Sequence, residues 1–167
     1  MTTDAHSLMT LNKGWDDYQI SLVRAIAPLS REQLAWRPAP HLRSGGEIAS
    51  HIIGAGSAEF ASQVAAWRPE DAIEEKPAEL VRWLEATWQM IEEALTSWNV
   101  ADLAQTYRLP YQGKNYALTR QWIIWRVISH DLHHGGELAV TLGMQGIALP
   151  ELGDEGGHLV ERAPLAE

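Results

Sequence analysis

Residues 119–143 read TRQWIIWRVISHDLHHGGELAVTLG. Within them Ile123, Val127, His130, His134, Leu138 and Thr141 recur at steps of three or four residues, the spacing that stacks side chains on one face of an α-helix. The pattern predicts a helix from about Thr119 to about Leu142, ended by Gly143, with two histidines on the stripe that faces a core.

Upstream, three more segments carry the same period. Leu8, Leu11, Trp15, Tyr18, Leu22 and Ile26 predict one long amphipathic helix that stops at Pro28. Ile48, His51, Ile52, Ala55, Ala58 and Val64 predict a second, from about Gly46 to Trp67, whose small-residue face permits close packing and which Pro69 ends. Leu80, Leu84, Trp88, Ile91, Leu95 and Trp98 predict a third, opening near Pro77, a residue suited to the first helical turn. The breakers fall between these runs. Pro28, Pro38, Pro40 and Gly45 make residues 28–45 a long connection, in which Ser30-Arg31-Glu32-Gln33 has the pattern of a short capped turn of helix. Residues 99–117, with Pro110, Gly113 and three tyrosines, read as loop, with Tyr107-Arg108-Leu109 and Tyr116-Ala117-Leu118 placed to form a small excursion over one end of the bundle. Four helices of roughly 20 residues, joined by long first and third connections and almost without strand signal, predict an all-α four-helix bundle. The bundle is expected to occupy residues 1–145. Residues 146–167, with Pro150, Gly153, Gly156 and Gly157 among acidic residues, are expected to form a tail, draped over the surface or frayed.

Composition bounds the function. A chain of 167 residues with 46% hydrophobic and 21% charged residues fits one globular domain. Thirteen Lys plus Arg against twenty-two Asp plus Glu give a net charge of -9, which repels a phosphate backbone and argues against a nucleic-acid partner. Without cysteine there is no disulfide framework, no thiolate metal site and no cysteine nucleophile. The first thirty residues lack a basic-then-apolar leader and no window approaches eighteen apolar residues, so the expectation is a cytoplasmic protein with no membrane partner. Eight tryptophans against one phenylalanine is unusual; Trp15, Trp83, Trp88, Trp98, Trp122 and Trp125 fall in or near helix-period patterns and are read as packing.

The chemistry points to the histidines. His130 and His134 stand one helical turn apart on the inward stripe, a spacing that lets two imidazoles reach a single metal ion. Two buried rings without partners would cost about 1 to 3 kcal/mol for each unsatisfied group, and coordination satisfies one nitrogen of each. The competing reading buries one hydrogen-bonded histidine and leaves the others at the surface near a helix C-terminus. His133 points roughly 100° away from His134 around the helix and is read as supporting or exposed. A catalytic zinc site takes a third protein ligand, and His51, between Ile48, Ile52 and Ala55 on the second helix, is the best candidate. His6, His41 and His158 lie at a chain end, in a Pro-rich loop and in the tail, and read as solvated.

One inward His on the second helix, followed on the fourth by His130-x-x-x-His134 and Gly135-Gly136-Glu137-Leu138, resembles the DinB/YfiT-like superfamily of bacterial proteins. That family's usual closing motif is His-x-x-x-His-Arg-Gly-Gln; here Gly135 replaces the Arg and Glu137 the Gln, and the ligand positions are untouched. The resemblance spans the helix order and the long first crossover. It implies a four-helix bundle, often dimeric, with a three-His divalent metal site, and hence His51, His130 and His134 as ligands. It also implies kinship with metal-dependent S-transferases and isomerases that use low-molecular-weight thiols such as bacillithiol or mycothiol.

The expected activity is that of a metal-dependent enzyme acting on a small-molecule substrate. A divalent ion held by three histidines lowers the pKa of a bound water or borrowed thiol and presents the anion as nucleophile. The resemblance favours thiol S-transfer, with metal-dependent hydrolysis next; zinc suits three imidazoles, and nickel also accepts them. Two readings stand beside it: a non-catalytic module whose tryptophan-rich faces form a homodimer or partner interface, and a plain bundle with satisfied core histidines. Glu47, Asp131 and Glu137 lie beside the histidines, each able to orient a ring, to act as base, or simply to be a solvated surface carboxylate, so none is assigned as catalytic. Trp36, Tyr107 and Tyr111 either line the mouth of the site or cap the bundle end.

Overall fold

The computed structural model describes residues 8–12, 14–61 and 73–148. Its elements are α1 (Leu8–Leu11), α2 (Trp15–Ile26), α3 (Arg31–Ala35), α4 (Gly45–Ala61), α5 (Pro77–Ser97), a 3-10 turn (Val100–Ala104), β1 (Thr106–Tyr111), β2 (Lys114–Thr119) and α6 (Arg120–Gly143). The long helices α2, α4, α5 and α6 form the bundle: α4 packs on both α5 and α6, and α5 packs on α2. Between α2 and α6 the link is polar, through Asp131.

Local chemistry explains most boundaries. The α6 helix opens where the Thr119 hydroxyl accepts from the Trp122 N–H at 3.1 Å. At the start of α4, the Glu47 N–H donates to the Ser44 hydroxyl and the Ser44 N–H to the Glu47 carboxylate, at 3.2 and 2.8 Å. The short α3 has the same reciprocal arrangement between Ser30 and Gln33. Pro77 sits at the start of α5, where its missing N–H costs nothing.

Two expectations need correction. The first helix is not continuous: Gly14 takes a left-handed φ of 99° and breaks the run into α1 and α2, because a glycine adopts at little cost a conformation that no helix contains. The segment read as loop before α6 holds an antiparallel hairpin, in register from Thr106↔Thr119 to Tyr111↔Lys114. Its turn is Gln112-Gly113, with φ of 48° and 74°, the doubly positive geometry that matches the twist of two-residue hairpins. The downstream end expected for the second helix and the tail from residue 149 lie outside the described residues.

The core falls into two apolar clusters. One gathers Leu22, Ile26, Leu34, Ile48, Ile53, Leu80, Leu84, Leu138 and Leu142. The other gathers Trp15, Phe60, Ile91, Leu95, Trp98, Ile123 and Val127. Along α6 the stripe thus runs apolar, polar, apolar, and its buried polar stretch is His130, Asp131 and His134. Of the tryptophans read as packing, Trp15 and Trp98 are buried and Trp83 and Trp88 half-buried, whereas Trp122 and Trp125 are exposed, Trp125 by 68%.

Candidate metal centre

The structure brings together the three histidines singled out from the sequence. His51 on α4 faces His130 and His134 on α6, and one ring nitrogen from each lies within 4.8 Å of the others. The His51 and His130 Nε2 atoms are 3.1 Å apart, and the three ring centroids are separated by 4.4 to 4.7 Å. Neutral imidazole nitrogens about 2.0 to 2.1 Å from one zinc ion in tetrahedral geometry stand somewhat over 3 Å apart, so the donor set fits a divalent ion that prefers nitrogen ligands with little adjustment. The other His130 nitrogen, Nδ1, is buried without a hydrogen-bond partner within the protein, so no protein group competes for this ring beyond the histidine cluster. Among the described residues no other group of His, Asp and Glu converges in this way.

Burial and charge favour the neutral form of His51 and His130, the form that ligates. Burial first, then the neighbouring His134 and His51 rings, pushes the His130 imidazole down to about 4. His51 is lowered by burial and then by the Arg43 charge. The Glu137 carboxylate meets His134 Nδ1 at 2.7 Å, fixing the ring so that Nε2 remains for a ligand role.

The other two carboxylates have different duties. Glu47 shares a cavity wall with His51 but is engaged elsewhere: it pairs with Arg37 and caps α4, and the Arg37 hydrogen bonds hold its carboxyl below the usual range. Asp131 faces α2, where its Oδ2 accepts from Trp15 Nε1 at 3.1 Å and Gln19 Nε2 at 2.7 Å. Burial pushes its carboxyl up to about 7, against the lowering effect of those two donors. The adjacent Tyr18 hydroxyl donates to the Asp131 backbone carbonyl at 3.2 Å. Gly135 makes room for this contact, since a Cβ there would stand 1.6 Å from the Tyr18 oxygen. A side chain as large as the family's usual arginine does not fit at this position while Tyr18 stays where it is.

A cavity of about 470 Å³ adjoins His51, lined by residues of the α3–α4 connection that include His41 and Arg43. His41 is solvated, as its Pro-rich loop predicts, and is also part of this wall. Trp36 is half-buried at the C-terminus of α3 and is not among the lining residues. Tyr107 donates to Glu59 Oε2 at 3.4 Å, joining the hairpin to α4. The Tyr111 side chain, His6 and His158 lie outside the described residues. His133 is exposed and stacks edge-on against His134 with centroids 4.7 Å apart.

These features define a class: a helical bundle with three convergent histidines between two neighbouring helices. The model of the DinB superfamily matches residues 18–138, and the chain belongs to that superfamily. The fold recurs in the crystal structure of a DinB-like protein from Bacillus cereus ATCC 10987, with a TM-score of 0.68 at 20% identity, covering 81% of this chain and 91% of that one. It recurs also in the crystal structure of the DinB-like protein YjoA from Bacillus subtilis, with a TM-score of 0.58 at 15% identity, covering 82% and 94%. At such identities the likeness speaks to the fold. No curated protein matches the chain. No helix among the described residues is long and apolar enough to cross a membrane.

Proposed function

We propose that this chain binds one divalent metal ion, zinc in the first instance, through His51, His130 and His134, and acts as an S-transferase on a small electrophilic substrate. The observation that carries the reading is the approach of three imidazole nitrogens to within 4.8 Å on two helices. A divalent ion in such a site acidifies a bound thiol or water and holds it as an anion at neutral pH. The protein's part is to favour the neutral form of His51 and His130, to hold His134 through Glu137, and to leave one side open at the cavity beside His51. With no cysteine in the chain, a thiol nucleophile has to be borrowed from a small molecule. The same reading includes a homodimer. Trp125, Leu132, Val140 and Met144 are exposed along the outer side of α6, an apolar stripe suited to a second copy.

The test is elemental analysis of the purified chain after zinc or nickel loading, joined to an assay of thiol conjugation to a chlorinated dinitrobenzene. The expected result is about one ion per chain, strongly reduced in His51→Ala, His130→Ala and His134→Ala, with conjugation that follows metal content. A chain that takes up no metal would contradict the reading; one that takes up metal without thiol-dependent turnover would retain the metal site and remove the S-transfer.

A further inference from the structure

Arg43 stands on the wall of the cavity that adjoins His51. The loop that carries it is pre-set: Arg37 pairs through both terminal nitrogens with Glu47 and also donates to the Leu42 carbonyl at 2.9 Å, fixing the residue before Arg43. Arg37 and Glu47 thereby satisfy one another. Arg43 is in a different position. The only ion pair it makes among the described residues is with Glu137, at 4.0 Å, and that carboxylate already engages His134. Its planar fork of donors faces a cavity of about 470 Å³, a size that admits a small molecule.

The chain carries a net charge of -9, and the cavity wall sets Arg37 and Arg43 against Glu47 and Glu75. With Arg37 and Glu47 paired to each other, Arg43 is the cation left beside the histidines, 4.0 Å from the Glu137 carboxylate that holds His134. An acidic protein repels anions at long range, so an anion is held at this wall only by direct contact with a guanidinium. Guanidinium groups hold carboxylates with two parallel hydrogen bonds, which a lysine in the same place would not reproduce.

We propose that the three-His site takes a small carboxylate substrate, whose carboxylate Arg43 grips at the cavity wall while the rest of the molecule extends toward the ring nitrogens. This deepens the reading given above and rests on it for the position of the reacting end. Succinate and its uncharged diamide, succinamide, are the probes, followed by shifts in amide NMR spectra of the full chain, with zinc per chain measured on the same samples. The samples are zinc-loaded and zinc-free wild type, Arg43→Gln, and Arg82→Gln, whose arginine lies on α5 and pairs with Glu79. Wild type and Arg82→Gln are expected to bind succinate about tenfold or more tighter than succinamide. Arg43→Gln loses that preference while its zinc content stays at the wild-type level. Succinate binding unchanged in Arg43→Gln, or no preference for succinate in wild type, would overturn the proposal. The two readings fail separately: absence of zinc from every sample removes the metal site, whereas Arg43-dependent succinate binding by the zinc-free chain still upholds the carboxylate grip, and its absence there as well removes that too.

Discussion

His130 and Asp131 are consecutive residues of α6, both buried and both polar, and the two faces they look onto are built in opposite ways. On the α2 side, Trp15 and Gln19 both donate to Asp131, Tyr18 seals the backbone carbonyl, and Gly135 gives up its side chain so that Tyr18 can approach. That face is closed: Asp131 Oδ2 is spent on holding two helices together, while Oδ1 is buried without a hydrogen bond. On the α4 side, three ring nitrogens converge without a protein acceptor between them, a single carboxylate steadies one ring, and a cavity opens beside His51. The difference teaches how to sort buried polar groups by role: where a group bonds across to a closely packed helix it is structural, and where ring nitrogens converge beside open space the group is waiting for a ligand.

The sharpest way to break this contrast is Gly135→Ala, which attacks only the closed face. A Cβ 1.6 Å from the Tyr18 oxygen forces that ring out, with an expected loss of about 3 kcal/mol in chemical denaturation. Adding Tyr18→Phe removes the clashing oxygen, and part of the loss should return in the double variant. On the open face, Glu137→Gln frees the His134 ring. Metal affinity in a competitive chelator titration should fall by about 10- to 100-fold while the denaturation midpoint of the metal-free chain barely moves. A fall in stability as large as that of Gly135→Ala would mean that the two faces are not functionally distinct.

A pH series on the metal-free chain sharpens the comparison further. The folded pKa of His130, about 4, lies below the ordinary 6.5, so the unfolded chain takes up the proton first. The stability linked to the neutral ring is present above about 6.5 and lost as pH falls toward 4. The stability difference between wild type and His130→Asn should therefore shrink across that window in urea titrations. Asp131, whose pKa is raised to about 7, has the opposite sign, its contribution falling as pH rises from the ordinary carboxylate range to about 7. The smallest effect belongs to His133→Ala. An exposed ring whose contact with the site is only edge-on against His134 should leave both metal content and midpoint within error of wild type.

The periodicity of α6 was enough to put His130 and His134 inward, because a helix of this length with one apolar stripe has one way to bury it. His51 could be found the same way, from its place between Ile48 and Ile52. What periodicity could not reach was decided by contacts between segments distant in sequence. Asp131 was readable as a neighbour of His130, but its partners Trp15 and Gln19 lie more than a hundred residues earlier. The Gly135 notch needs Tyr18 to be meaningful, and Arg43 acquires a role only once the α3–α4 connection folds over His51. The hairpin did leave a local sign. Gln112-Gly113 separates two tyrosine-bearing runs by two residues, and the central Gly was the cue to a tight turn.

The most direct test of the account is anomalous diffraction from a zinc-loaded crystal, recorded above and below the zinc edge. The account predicts one strong peak per chain, about 2.0 to 2.1 Å from one ring nitrogen each of His51, His130 and His134, with a further coordination position directed at the cavity. No peak between those rings, or a peak held instead by His41 or His133, would contradict it.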